Sequence, residues 1–301
     1  MKATLVVLAL VAAALAANTF LVDSRTRPAA PRSGGRIIET PVVAANVAEA
    51  GTGPAIVMIH GFGAAIDWWD EIAPALAADH RVIRVDLIGH GGTAAPASGY
   101  AIPRQAELVA AVLDRLGIER VAVIGHSMGG EVATALAETS PARSAALILI
   151  DSPPTAATTF TILTDAAMTP VLGELLSHFA TDDTIRRGLA QGFAPGFPVP
   201  EKFVADLEQL TYIAFRSAHK DSIAYRTAKP THERLAALMP VPPLLALFGT
   251  MDAIVPPEQA KYFAQVPDAK VVMIEGSGHS PMVEKPAETL ELIRGFLRDV
   301  R

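Results

Sequence analysis

The sequence predicts a doubly wound, mostly parallel α/β sheet carrying a helical cap insertion. Three observations predict it. Short, uninterrupted apolar runs recur along the chain, helical patterns lie between them, and the alternation breaks between about residues 152 and 239. Strands covered on both faces read as continuous apolar runs, and alternation with helices implies parallel pairing through crossovers.

The elements follow in order. Ile37 to Val47 mixes β-rich runs with turn residues and predicts an antiparallel opening hairpin. Ala55–Ile59, Val82–Val85, Val121–Ile124, Leu147–Ile150, Leu244–Phe248 and Val271–Ile274 read as buried strands. Gln105 to Leu116 places Leu108, Val109, Val112, Leu113 and Leu116 on one helical face, and Gly117 ends it. Met128–Glu138 and Ala287–Val300 are further helical stretches. The 152–239 segment holds six of the eleven phenylalanines, many helical patterns and no convincing strand. It reads as a cap over the sheet edge where ligands bind.

The amino-terminal 22 residues stand apart. Lys2 precedes an apolar run from Leu5 to Ala17, the charged and apolar regions of an export signal, and Ala14-Leu15-Ala16 offers a small-x-small cleavage site. Extended to Val22, the run gives 18 uncharged positions, marginal for a bilayer core of about 30 Å. Residues 1–22 are therefore expected to be a signal peptide or a membrane anchor, making the protein exported or membrane-anchored, with membrane association through residues 5–22. Arg25, Arg27, Arg32 and Arg36 follow the segment, which for an uncleaved anchor opposes export of the C-terminal part. A buried helix at the start of the domain is the plain alternative. Residues 23–35, with Pro28, Pro31, Gly34 and Gly35, read as a linker to a domain spanning 36–301.

Composition narrows the function. Half the 301 residues are hydrophobic and 19% are charged, which suits a large core and excludes a disordered chain. A net charge of −6 gives no polyanion-binding signature, so nucleic acid is not an expected partner. The absence of cysteine removes disulfides, thiolate metal sites and a thiol nucleophile.

Gly125-His126-Ser127-Met128-Gly129 follows a strand and opens a helix, the setting a G-x-S-x-G turn requires. Gly125 and Gly129 permit the crowded turn. It would lift the Ser127 hydroxyl above the sheet at a helix N-terminus, where developing negative charge is favoured. A serine needs a base, and the base an orienting acid. His279, in Gly278-His279-Ser280, follows the last strand, and Asp252, in Gly249-Thr250-Met251-Asp252, follows the one before. Asp151 also follows a strand and is the rival acid. His60-Gly61-Phe62-Gly63 follows another strand, and its glycines would turn a backbone N–H into the site. The expected oxyanion donors are the amides of Phe62 and Met128, with His60, Gly61 and Gly63 in support and the Phe62 ring lining an acyl pocket. Asp86 to Gly91 is assigned a structural role, and His126 a packing role because it points away if Ser127 points in. His80, His178, His219 and His232 are expected at the surface or in the cap.

Together these residues resemble the α/β-hydrolase fold family, over about residues 36–301. The matching pieces are His60 to Gly63, Asp86 to Gly91, Gly125 to Gly129, Gly249 to Asp252 and Gly278-His279. The resemblance implies cofactor-free, metal-free hydrolysis through an acyl-enzyme. Members that cleave haloalkanes or epoxides place an aspartate where Ser127 stands, so this chain resembles the serine branch. The expected activity is carboxylic-ester hydrolysis of a small-molecule substrate by Ser127, His279 and Asp252. The apolar cap, with Phe160, Ile162, Leu163, Val171, Leu172, Leu175, Leu176, Phe179, Phe193, Phe197 and Phe203, suggests an uncharged hydrophobic substrate, or simply the cap's own core. Carbon–carbon bond hydrolysis or perhydrolysis by the same triad, and a non-catalytic binding module on the same fold, are the alternatives. A structural membrane protein would leave the clustering of Ser127, Asp252 and His279 at strand ends as coincidence.

Overall fold

A computed structural model describes residues 2–23, 25–159, 168–177 and 179–300. Its centre is an eight-stranded sheet. The strands are β1 (Arg36–Ile38), β2 (Ala45–Ala50), β3 (Ala55–Ile59), β4 (Arg81–Val85), β5 (Val121–His126), β6 (Ser144–Ile150), β7 (Leu244–Gly249) and β8 (Lys270–Ile274), in the spatial order β1-β2-β4-β3-β5-β6-β7-β8. β1 and β2 pair antiparallel, as does β2 with β4, and every other pairing is parallel. Fold and strand positions are those expected from the sequence.

Both faces of the sheet are covered, which is why its strands carry no polar alternation. Along β3, Val57 and Ile59 pack on one side and Ile56 and Met58 on the other. The first side is covered by α2 (Ile102–Arg115) and α3 (Met128–Thr139), whose stripe Leu108, Val109, Val112 and Leu113 is fully buried. Ile293, Phe296 and Leu297 close the second side from the C-terminal stretch 286–299. Each such side chain contributes about 1.5–3 kcal/mol on burial.

Between β6 and β7 the chain leaves the sheet and forms five helices within the described residues: α4 (Pro170–Ser177), α5 (Asp182–Leu189), α6 (Glu201–Glu208), α7 (Tyr212–Ala228) and α8 (Thr231–Ala236). Thr181 and Thr211 cap α5 and α7 by accepting from the backbone N–H of Thr184 and Ala214. α6 is seated on the sheet domain by Trp68, whose ring stacks on Phe203 at a centroid distance of 3.9 Å and whose Nε1–H donates to Asp206 at 3.2 Å. Phe193 and Phe197 extend this stack. Phe193 and Phe203 thus join the core on the second side of the sheet. Leu175 and Phe179 are exposed. Phe160, Ile162 and Leu163, His178, and the side chains of Val171, Leu172 and Leu176, lie outside the described residues.

The amino-terminal segment is one helix, α1 (Lys2–Asp23), apolar all round, with Leu5, Val6, Val7, Leu8, Leu10, Val11, Phe20 and Leu21 exposed. It packs beside α4 and α7, and Asn18 donates to Glu174 of α4. Among the described residues no helix is long and apolar enough to cross a membrane.

The stretch expected as a linker behaves differently from that expectation over residues 25–35. Arg27 exchanges backbone hydrogen bonds with Ala95 at 2.9 and 2.7 Å, Ala30 donates to Gly92 at 2.9 Å, and Ser33 Oγ donates to Asp67 at 3.1 Å. The Arg27 guanidinium also donates to the Thr93 carbonyl at 2.9 Å. Proline and glycine here serve a chain laid against the domain, and composition alone does not distinguish that from a free tether.

Candidate active site

β3, β5, β6, β7 and β8 are parallel, so their carboxyl ends share one edge, and the loops leaving them meet there. After β5 the chain turns into α3 through Ser127, held at φ 51°, ψ −120°. This conformation is strained for a side-chain-bearing residue, and the packing around the turn enforces it. A Cβ on Gly125 would lie 2.4 Å from the Gly129 carbonyl oxygen, and one on Gly129 would lie 2.2 Å from that of Ile59. Only glycine fits at either place. Ser127 makes no side-chain cap to α3. Its N–H instead donates to the Ile150 carbonyl at 2.9 Å, tying the turn to β6.

The Ser127 hydroxyl meets His279 Nε2 at 2.9 Å, and His279 Nδ1 meets Asp252 Oδ2 at 2.7 Å. His279 and Asp252 are 5% and 4% exposed, so this chain of bonds sits at the inner end of a cleft. The other oxygen of Asp252 accepts from the backbone N–H groups of Ile254 at 2.7 Å and Val255 at 2.9 Å. Burial pushes the Asp252 carboxyl up, but His279 and these donors outweigh it and hold the group below its ordinary range.

Asp151, the rival acid, lies beside this chain of bonds rather than in it. It begins the loop after β6 at φ 44°, and its Oδ1 accepts from the Gly249 N–H at 2.9 Å. Burial first, then the Asp252 charge, push its carboxyl well above the ordinary range. Asp151 is therefore the acid whose charge this site disfavours, and Asp252 the one whose charge it favours. Asp151, Asp252 and His279 place ligand-type atoms within 4.8 Å of one another. Both Asp252 oxygens and both His279 nitrogens are already hydrogen-bonded, so a cation there would have to break the Ser127–His279–Asp252 chain.

His60-Gly61-Phe62-Gly63 runs against the turn, where a Cβ on Gly61 would come 3.1 Å from that of Ser127. His60 is buried; its Nδ1–H donates to the Gly61 carbonyl at 2.8 Å and its Nε2 accepts from the Leu87 N–H at 3.0 Å. That tautomer follows from the Leu87 donor, and burial keeps the ring neutral. Met128, the first residue of α3, has no intrahelical acceptor for its N–H. Phe62, Ser127 and Met128 line one pocket.

Asp86 organises the loop after β4. It accepts from the Ile66 and Gly92 N–H groups, both at 2.8 Å, and from Asn46 Nδ2 at 2.7 Å. His126 does more than pack. Its Nε2–H donates to the backbone carbonyl of His279 at 2.7 Å and so anchors the loop that carries the imidazole. Burial, with His279 nearby, lowers it to about 3, which keeps it neutral. Its place beside Ser127 was the only sequence signal available. His219 lines the pocket beside Ser127, and His232 is buried in α8, its Nδ1–H donating to the Pro154 carbonyl at 3.0 Å.

The pocket at Ser127 is also lined by Pro153, Ile254, Thr158, and, from α3 and α7, Glu131, Ser222 and Arg226. This wall is more polar than the apolar cap suggested. None of the cap residues expected to make it hydrophobic reaches it among the described residues.

The alpha/beta hydrolase fold profile matches residues 54–286, most of the chain. The protein belongs to the alpha/beta hydrolase family. A pimeloyl-[acyl-carrier protein] methyl ester esterase from Aeromonas hydrophila is 30% identical over 264 residues, covering 82% of this chain and 96% of that one. A dihydrolipoyllysine-residue acetyltransferase component of an acetoin cleaving system from Pseudomonas putida is 29% identical over 82% of this chain, which spans 64% of that relative's length. Among solved structures, a bacterial membrane phospholipase A superposes with a TM-score of 0.73 at 23% identity, over 100% of this chain and 99% of that one. An esterase from Exiguobacterium antarcticum gives 0.75 at 21% identity, over 88% and 99%. These structural likenesses establish the shared fold, and the family match makes the chain a member of the alpha/beta hydrolase family.

Proposed function

We propose that the protein is a serine hydrolase that cleaves carboxylic esters through an acyl-enzyme. The observation that carries this reading is the continuous hydrogen-bonded chain Ser127–His279–Asp252 at 2.9 and 2.7 Å. In the first half-reaction Ser127 Oγ attacks the ester carbonyl carbon while His279 Nε2 takes its proton. Asp252 keeps Nδ1 protonated and stabilises the imidazolium. The Phe62 and Met128 amides receive the oxyanion, and the tetrahedral centre collapses as His279 protonates the departing alcohol. Water, deprotonated by His279, then attacks the acyl-serine and releases the carboxylic acid. The burial of His279 and Asp252 strengthens their charge interaction relative to water.

The test is hydrolysis of p-nitrophenyl esters, from acetate to palmitate, by the full chain and by Ser127→Ala. Turnover confined to the wild-type protein supports the reading, and absence of turnover on every ester by folded wild-type protein contradicts it.

The proposal includes membrane association through residues 5–22. Its support is the helix Lys2–Asp23, which exposes large apolar side chains on all sides, with exposed Leu175 and Phe179 on the cap that α4 begins. Exposed apolar surface of this extent marks a membrane or protein contact. A membrane phospholipase A that matches along the whole chain points the same way. The full chain should float with phospholipid vesicles in a density gradient, and a chain lacking residues 1–24 should stay at the bottom. Equal flotation of both would contradict the association.

A further inference from the structure

Glu284 has no part in the mechanism above, yet its side chain is tied to both sides of the loop that carries His279. It ends the short helix Pro281–Glu284 and reaches back along the chain. Its Oε1 accepts from the Ser280 N–H at 3.1 Å and from Ser277 Oγ at 3.4 Å. Its Oε2 accepts from the Gly278 N–H at 3.0 Å and from the Ala194 N–H at 2.7 Å. Gly278 and Ser280 are the two chain neighbours of His279, whereas Ala194 belongs to the cap, between α5 and α6.

A glutamate that only capped this helix would stop at the Ser280 N–H. Here two oxygens collect four donors from two separate parts of the chain, and hydrogen bonds to a carboxylate belong to the stronger class. The cap backbone also lies directly on the loop. A Cβ on Gly278 would come 2.3 Å from the Ala194 nitrogen and 2.4 Å from the Phe193 carbonyl carbon, so only glycine fits beneath it. A second route joins the same two parts. Phe193 stacks with Trp68 at a centroid distance of 6.1 Å, and Trp68 stacks with His126 at 6.2 Å. His126 in turn donates to the His279 carbonyl at 2.7 Å. The backbone around the imidazole is thus held by His126 at its carbonyl and by Glu284 at the two flanking amides, and both contacts lead to the cap segment at Phe193 and Ala194.

We infer that Glu284 is a positioning residue for His279, and that through it the alignment of the imidazole depends on the cap being seated. This rests on the ester-hydrolase reading above, in which Nε2 must face Ser127 while Nδ1 faces Asp252. Glu284 acts through the backbone of the His279 loop and is not among the described residues that line the pocket at Ser127. Its loss should therefore leave substrate binding alone and misplace the base. A misplacement of about 1 Å, caused away from the chemistry, can cost about 10²-fold in rate. The signature is a fall in kcat at nearly constant KM.

Two measurements on the full chain test this. The first is hydrogen exchange read by mass spectrometry on wild-type protein and Glu284→Gln, in which one acceptor becomes an NH2 group turned toward donors. The amides of Ala194, Gly278 and Ser280 should be protected in wild type and exchange about 10-fold faster or more in the variant. The second is steady-state kinetics on p-nitrophenyl butyrate. In Glu284→Gln kcat should fall by about 10²-fold while KM stays within about threefold. Glu284→Asp, which keeps a carboxyl group on a shorter arm, should recover part of that loss, and it carries the kinetic test if Glu284→Gln does not fold. A folded variant with kcat within about threefold of wild type, or a loss confined to KM, overturns the inference. The wild-type exchange needs no variant, and amides at Ala194, Gly278 and Ser280 that exchange as fast as those of an exposed loop overturn it too. If wild-type protein turns over no ester, the ester-hydrolase reading falls, and the exchange comparison alone decides whether Glu284 holds the cap to the His279 loop.

Discussion

All six residues of β5 and all six of β7 are buried, and apart from Gly125, His126, Phe248 and Gly249 they are aliphatic. In α7, the longest cap helix among those described, eight of 17 residues are buried, and these include His219, Ser222 and Arg226. The two regions therefore use burial for different ends. In the sheet it supplies stability, and polar atoms gather only at the strand ends. In the cap it brings polar side chains, Arg226 among them, against the same edge, where they line the pocket at Ser127. On the proposed reading the sheet region supplies the attacking hydroxyl, and the cap adds part of the wall of the pocket beside it.

The largest effects should come from the sheet's side of this division. Asp252→Asn leaves the packing intact but removes the acceptor that fixes the His279 tautomer, so kcat should fall by about 10⁴-fold. Asp151→Asn alters a side chain that lies beside the Ser127–His279–Asp252 chain rather than in it, and should cost less than about 10-fold. Steady-state kinetics on one p-nitrophenyl ester checks both, and the reverse order of effects would exchange the two acids.

On the seam between the regions, Trp68→Ala should cost about 3–5 kcal/mol of stability, read by chemical denaturation. It removes the Phe203 stack and leaves the Asp206 carboxyl without its donor. If the denaturation midpoint barely moves, the cap is not held through this contact.

The same seam carries a pH dependence. Burial first, then the neighbouring Asp67, raise Asp206 to about 8. A carboxyl raised on folding binds its proton more tightly in the native state, so stability falls as pH rises from about 4 toward 8. Asp206→Asn should remove much of this slope, raising Tm relative to wild type at pH 9 and changing it little at pH 5. Parallel Tm–pH curves for the two proteins would contradict this.

Much of the sheet region was legible in the sequence. Its strands are uninterrupted apolar runs, and Ser127, Asp252, His279 and Phe62 each sit in a short glycine-containing turn directly after one of them. Such signals are local, and a single sequence displays them. The cap's contribution is not local. Glu131 and Arg226 are 95 residues apart, and each reads as an ordinary charge on a helix until the fold closes them into one pocket. Asp206 likewise looks like a solvated acid in Glu201–Glu208, with nothing nearby to announce Asp67. His126 was read as packing because the turn sends it away from Ser127. That direction is what lets it reach the His279 carbonyl. The phenylalanines of 152–239 suggested a greasy pocket, but Phe193, Phe197 and Phe203 went into a stack with Trp68.

The smallest effect expected is at the cap's outer surface. Arg187 and Asp183 pair at 2.6 Å with both side chains well exposed. Replacing either with alanine should change stability by under about 0.5 kcal/mol, a shift that denaturation in low and high salt would show to be screened.

The central claim is that Ser127 carries the acyl group, and peptide-mapping mass spectrometry tests it most directly. The full chain is mixed with p-nitrophenyl butyrate, quenched in acid during turnover and digested. The account predicts a butyryl adduct on the peptide containing Ser127, absent from Ser127→Ala, which should also lose about 10⁴-fold or more in kcat. An adduct on another residue, or turnover by Ser127→Ala near the wild-type rate, would contradict it.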